Sequence, residues 1–239
     1  MRSEKRKRRG ILKAALTVML SFAIVMGMIP GTDFVIPAHA DGDKTISGLG
    51  TGAITNPTSG AGGWSYVYYG TYNSNSVKYR VLDKSATEFG GNTMLLDCDS
   101  TLLTHRFDGS SNVWANSEIK LWLNGDDFLN NANVFTTAER TAIASSTKAN
   151  AATNDGNGWN YLDYAPLAGE KIFLLDAKEA TRPSYGYANT ANSDSNRSKT
   201  GAGTWWWLRS PAHISALDAG YVFASGSIHS DYVATTVSV

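Results

Sequence analysis

The chain of 239 residues holds a single cysteine, Cys98, so no disulfide can close within it and no thiolate zinc cluster can form. Histidine is nearly as scarce. Beyond residue 40 only His105, His213 and His229 occur, with no His-x-x-x-His pair. A Gly-x-Ser-x-Gly elbow and a phosphate-cradling glycine loop are also missing, which removes the common signatures of zinc hydrolases, serine hydrolases and nucleotide enzymes. The body of the chain lacks positive charge. Residues 1–40 hold 7 of the 21 basic and 2 of the 21 acidic side chains, leaving 14 against 19 and a net charge of −5 over 41–239. That balance excludes nucleic-acid binding, which rests on Lys and Arg neutralising phosphates. A long hydrophobic run is absent too: the apolar stretch Ala14–Ile29 covers 16 positions, short of the ~20 needed to span a bilayer.

What is present begins with an export signal. Lys5-Arg6-Lys7-Arg8-Arg9 forms a basic n-region, Ala14–Ile29 an apolar core, and Ala38-His39-Ala40 a small-residue cleavage site. The expectation is a signal peptide over 1–40 cut after Ala40, giving a secreted or cell-surface protein with no membrane association after cleavage; an uncleaved N-terminal anchor is the alternative. The remaining length suffices for one domain that buries about 70% of its unfolded surface without cross-links.

Residues 41–63 are rich in Gly, Thr, Ser and Asn and read as a linker or loose N-terminal segment before a single domain over 64–239. Trp64–Tyr69, stopped by Gly70, then Val77–Val81 with period two, then Thr93–Asp97 after Gly90-Gly91 predict an antiparallel meander. Ser117 or Asn116 can cap a helix that puts Ile119, Trp122 and Leu123 on one face and ends at Gly125. Thr136-Thr137-Ala138-Glu139 has capping-box spacing and predicts a short helix from about Thr137 to Ala144. Some twenty polar residues then read as a surface loop, Lys171–Leu175 as a strand, Asp176 with Glu179 as a helical turn, and 184–203 as a second polar loop. Thr204–Pro211, Ala219–Phe223 and Asp231–Val233 predict three strands with turns at Pro211 and near Ser225-Gly226, making an α+β domain.

Catalytic groups are sparse. Asp97 and Asp99 flank Cys98, which admits an ion or thiol reading with His105 as base. The simpler reading makes them solvated carboxylates at a strand end, with Cys98 packed inward. Asp126-Asp127 reads as a cap for the next turn rather than a metal pair. In Trp205-Trp206-Trp207, alternation directs Trp205 and Trp207 one way and Trp206 the other. Filling both sides of a sandwiched strand is favoured over stacking sugars on an open face, because each ring removes about 150–250 Å² from water. Trp205, Trp206, Trp207, Arg209 and Pro211 are therefore assigned structural roles, with Arg209 a donor that holds the loop following it.

Trp206-Trp207-Leu208-Arg209-Ser210-Pro211 resembles the hallmark of bacterial secreted proteins in the domain-of-unknown-function family 6273. Tyr68-Tyr69-Gly70, Tyr79–Asp83, Ile119–Asn124 and Lys171–Leu175 agree with it, so the likeness spans about Trp64 to Phe223. The resemblance implies a C-type-lectin-like fold of the formylglycine-generating-enzyme kind, built of antiparallel strands, two or three short helices and long polar loops. That enzyme's activity needs paired cysteines and is not implied for a chain with Cys98 alone. Similar proteins end in a Gly-Val-Arg-Pro strand, absent here, so an altered or missing last strand is expected.

Residues 211–239 contain no Lys, Glu, Gln, Met or Trp, types that fill 21 of the 170 positions from 41 to 210. On composition alone such a tail arises about once in fifty. Those five are the types that a randomised Asn codon ending in C cannot encode. The pattern is similar to the variable region of C-type-lectin-like proteins diversified by retroelements; a Ser/Ala-rich β tail that avoids long charged residues is the plain alternative. The expected recognition surface, about 212–232, comprises His213, Ile214, Ser215, Leu217, Asp218, Tyr221, Phe223, His229, Asp231 and Tyr232. It would bind a protein or glycan on a cell or phage surface, with no catalytic residue, cofactor, metal or nucleic acid. A carbohydrate-binding module using Trp205, Trp159 and Tyr161 is one alternative; an enzyme using Asp97, Asp99, His105 or Cys98 is another.

Overall fold

Three consecutive antiparallel strands open the computed structural model, which describes residues 54–91, 93–149 and 161–239. The strands are β1 (Tyr66–Tyr72), β2 (Asn75–Ala86) and β3 (Thr93–Cys98), in the order β1-β2-β3. The meander expected from the alternation is present. Asn73 and Ser74 turn the first hairpin with φ of 49° and 64°, the primed-turn conformation whose twist matches the flanking strands. Gly70 does not stop β1, contrary to expectation. It sits at a register shift between Tyr68 and Thr71 with φ +63°, where a Cβ would lie 2.5 Å from the Phe135 ring and 2.9 Å from the Val134 carbonyl. It is a bulge at which another segment approaches the strand.

Helix α1 (Glu118–Asn124) starts where the Ser117 hydroxyl accepts the Lys120 amide, and it buries Ile119 and Leu123. Helix α2 (Thr137–Ala142) carries the full reciprocal capping box between Thr136 and Glu139. A two-stranded ladder joins β5 (Ser146–Lys148) to β6 (Leu167–Glu170). The predicted strand Lys171–Leu175 is not one. The ladder lies one segment earlier, and the Leu174 and Leu175 carbonyls accept hydrogen bonds from Arg209 rather than from a strand partner.

The second sheet has the order β4-β10-β7-β8-β9, from β4 (Thr104–Arg106), β7 (Trp206–Pro211), β8 (Asp218–Val222), β9 (Ile228–Tyr232) and β10 (Thr236–Ser238). Residues 236–238, of sequence Thr-Val-Ser rather than the Gly-Val-Arg-Pro of similar proteins, form β10. It enters antiparallel to β4 and parallel to β7, pairing Ser238 with Trp206. Pro211 closes β7 opposite Ala219, so the turn lies after it, over 212–217.

The core holds Phe107, Trp114, Ile119, Trp207 and Leu208, all almost fully enclosed. Phe107 meets Trp207 edge-on at 5.7 Å, and the Trp207 indole donates to the His105 carbonyl at 3.0 Å. Trp206 buries against the other side and donates to the Arg197 carbonyl at 3.0 Å. Segment 184–203, expected to be a polar surface loop, instead buries Tyr185, Tyr187, Asp194, Arg197 and Lys199. Its side chains satisfy one another and distant backbone, which composition cannot reveal. The signal-peptide expectation, residues 41–53 of the expected linker and Trp159 lie outside the described residues; of the linker's remainder, the Gly60 and Gly62 amides donate to the Pro183 and Gly186 carbonyls at 2.9 Å.

Candidate functional site

The ten tail residues lie on β8, β9 and the turns at either end, and pleat alternation sorts them. Register pairs Tyr221 with His229 and Ala219 with Asp231 on one face; Asp218 with Tyr232 and Val222 with Ile228 project from the other. They do not form one continuous patch. β8 is about 13 Å long at roughly 3.3 Å per residue, and the candidates collect at its two ends.

At the β8–β9 hairpin end, the rings gather into a shelf. Trp205 stacks on Tyr221 at 5.3 Å and lies 4.7 Å from Phe223. His229 is 5.9 Å from Tyr221 and 6.1 Å from Phe223. Ser227 Oγ lies 2.9 Å from His229 Nε2 and 3.0 Å from Ser225 Oγ, placing polar atoms beside the rings. Two assignments change here. Trp205 precedes β7 and remains 36% exposed, so it is a lid over the shelf and not a core filler. Tyr221, expected to face outward, is only 8% exposed because Trp205 covers it. Burial, and then the charge of Asp231, raises its phenol above the ordinary range.

At the opposite end, His213, Ile214 and Leu217 stand exposed on the 212–217 turn, with Ser215 and Asp218 half-buried. His213 approaches the Asp163 carboxylate at 3.5 Å. Tyr161, part of the carbohydrate alternative, donates its hydroxyl to the Ile228 carbonyl at 3.2 Å rather than joining the shelf. Its phenol is raised by burial.

Arg209 is the buried centre of the motif strand. It donates to the Ala165 carbonyl at 2.9 Å and the Leu174 carbonyl at 2.6 Å, to Asp176 at 2.9 Å, and to both Glu179 oxygens at 2.5 and 2.7 Å. It therefore holds the segments before β7, not the loop after it. Lys148 adds a second cation 2.6 Å from Glu179. Burial opposes charge on both carboxyls. At Glu179 the Arg209 guanidinium and then Lys148 outweigh burial and hold the carboxyl down to about 2. At Asp176 burial, reinforced by the Glu179 charge, pushes the carboxyl up to about 6.

The linkage signs are opposite. Glu179 stabilises the fold above the ordinary carboxylate range and loses that contribution as pH falls toward 2. Asp176 stabilises it at acid pH and loses that contribution as pH rises through about 6. Above about pH 5, where Glu179 has given most of its contribution, the thermal midpoint is expected to decline as pH rises through about 6, and Asp176→Asn should flatten that decline. An equally steep slope in the variant would place the titration elsewhere.

Of the groups considered for catalysis, Asp97 and Asp99 are held in ion pairs and Cys98 is mostly enclosed. Asp97 is buried, 2.7 Å from Lys199 and 2.8 Å from the Tyr187 hydroxyl, so it is not the solvated carboxylate expected. Asp99 pairs with Arg80 at 2.7 Å and Lys78 at 3.0 Å. Burial pushes the Cys98 thiol up to about 11, which makes it a poor nucleophile at neutral pH. His105 lines a shallow cleft of about 300 Å³ with Glu118, Leu121, Trp122 and Asp127. Asp126 accepts from the Asn130 amide at 3.3 Å, within the turn after α1.

The fold and site define a mixed α+β domain, mostly sheet, in which a buried arginine ties the segment 165–179 to β7, and the β8–β9 hairpin has accessible side chains at both ends. The family model "Domain of unknown function (DUF6273)" matches residues 90–239, and the chain belongs to that family. No curated protein and no solved structure matches the chain.

Proposed function

We propose that the protein is a secreted ligand-binding or adhesive module of C-type-lectin-like architecture, with its recognition surface in residues 212–232. One observation carries this reading: His213, Ile214, Leu217, His229 and Tyr232 are exposed on backbone pinned by the sheet and by the 212–217 turn. Side chains at such positions can change without disturbing the core, because surface substitutions usually alter stability within about 0.5 kcal/mol. Retroelement diversification would exploit that tolerance. Tyr221 belongs to the floor beneath the surface. Randomising the five exposed positions together with Asn-derived codons should leave most clones with thermal midpoints within a few degrees of the parent, whereas randomising Tyr221, Val222 and Ile228 should unfold most clones. Equal losses in both libraries would remove the reading. In the gene itself, diversification requires a reverse transcriptase beside a near-copy of the 3′ end that differs at template adenines.

A second reading, carbohydrate binding, draws on Trp205, whose partly open ring lies beside Phe223 and the polar pair His229 and Ser227. A flat apolar ring flanked by hydrogen-bonding groups suits a sugar face. On a glycan array, Trp205→Ala should abolish binding while Ile214→Ser leaves it intact. Binding that survives Trp205→Ala would discard this reading.

A further inference from the structure

Four of the six large apolar side chains exposed among the described residues collect at one end of the second sheet. They are Ile214, 70% exposed, Val113 at 48%, Tyr232 at 46% and Leu217 at 43%. Backbone links bring their segments together. Asp218 pairs with Tyr232, the Val233 amide donates to the Leu217 carbonyl at 2.8 Å, and the Asn112 amide beside Val113 donates to the Ala216 carbonyl at 3.0 Å.

The turn that carries two of them is locked from beneath. Asn112 is buried, and its side-chain amide donates to the Ala212, Ser215 and Asp218 carbonyls at 3.1, 2.8 and 2.9 Å. Within the turn, the Ala212 amide donates to the Asp218 carbonyl at 2.9 Å, and the His213 amide to the Tyr161 carbonyl at 2.9 Å. Apolar side chains held outward by a rigid turn lose little conformational entropy on binding. A clustered exposed apolar patch marks an interaction surface more often than scattered residues do.

Charge selects the partner. The segments that build this end, 107–117, 161–165, 211–220 and 228–235, contain no Lys or Arg, and Asp108, Asp163 and Asp218 lie on them, with Asp231 on the opposite face beside Tyr221. Of the cations that reach these segments from elsewhere, Lys120 meets the Ala115 carbonyl at 2.7 Å and pairs with Glu170 at 3.0 Å, and Lys178 lies over the Tyr164 ring at 4.8 Å. The nearby Arg106 is neutralised by two contacts to Glu118 at 2.5 and 2.9 Å. We infer that the Ile214–Leu217–Tyr232–Val113 patch docks a protein segment that presents apolar side chains flanked by Lys or Arg. This deepens the ligand-recognition reading and places a protein partner at the end opposite the aromatic shelf. The acidic rim repels anionic bilayers, and a second copy of the chain would bring the same carboxylates against it.

The test is fluorescence anisotropy with the full chain and three labelled dodecapeptides: alternating Leu/Lys, the same peptide with Glu for Lys, and the same with Ser for Leu. The Leu/Lys peptide should bind at least tenfold tighter than either control. The double variant Ile214→Ser/Leu217→Ser should lose at least tenfold in that affinity with its thermal midpoint unchanged, because both side chains are exposed. Asp163→Lys/Asp218→Lys should shift preference toward the Glu peptide, and Trp205→Ala should leave all three affinities as they are. Equal binding of the Ser/Lys peptide, binding indifferent to the Ile214/Leu217 double variant, or no binding of the Leu/Lys peptide would overturn the inference. So would dimerisation, or adsorption to neutral phosphatidylcholine vesicles, that the same double variant abolishes. Glycan binding that depends on Trp205 alongside any of these failures would leave ligand recognition standing and remove only this partner.

Discussion

Arg209→Met is expected to cost about 3–5 kcal/mol, the range for removing one partner of a buried ion pair, and so to remove a large share of the ~5–15 kcal/mol that holds a typical domain folded. The guanidinium is fully buried and contacts Asp176, both oxygens of Glu179 and the carbonyls of Ala165 and Leu174. Its loss strands two carboxyls beside one remaining cation, Lys148, and orphans two backbone acceptors. Arg209→Lys should rescue little, because an ammonium cannot reproduce a planar fork that reaches five oxygens. Arg209→Met combined with Asp176→Asn and Glu179→Gln should recover part of the loss, since the uncompensated charge is gone. Urea unfolding of the four proteins measures each step. A single variant with near-parental stability would show that the buried pair contributes little to the fold.

Gly226→Val is expected to be similarly severe, for a steric reason. Gly226 turns the β8–β9 hairpin at φ +78°, and a Cβ there would lie 1.9 Å from the Asp194 carbonyl oxygen. The Arg197 Nε–H donates to the Gly226 carbonyl at 2.6 Å, which fixes the hairpin tip against the 190s segment. A β-branched residue meets both the left-handed backbone and a clash with main chain, which cannot swing aside as a side-chain tip can. The expected outcome is a loss of several kcal/mol, or insoluble expression, with Gly226→Ala smaller but of the same sign. Soluble Gly226→Val with an unchanged midpoint would mean that the 190s segment yields easily.

Local chemistry made some elements readable in the sequence. The Ser117 cap and the Thr136–Glu139 box each depend on residues a few positions apart, and both appear in the structure; the Val77–Val81 strand is present too, but Arg80 and Leu82 are buried beside Val77 and Val81, so its burial does not alternate. Alternation also placed Trp205 and Trp207 on one side, where both contact Tyr221. It could not foresee that Trp205 falls outside β7 and stays open. The WWLRSP string pointed to the family that the match over residues 90–239 shows. Arg209 was singled out, but its partners lie 30 to 44 positions upstream and no periodic pattern records them. Likewise Tyr187 with Asp97, and Lys199 with the same carboxylate, span 90 and 102 positions, so segment 184–203 read as a solvated loop. The division of the tail into two ends follows from strand direction, which residue identity alone does not encode.

The placement of β10 has a consequence for the order of assembly. In the sheet order residues 236–238 lie between β4 and β7, so backbone pairing across the five strands is incomplete until they are made. During synthesis the β1–β2–β3 meander can form from its own hairpins, whereas pairing of β4 with the second sheet waits until residues 236–238 have been made. Substitutions at the exposed turn and hairpin positions lie outside that closing step, so changes in recognition and the timing of sheet closure can vary independently.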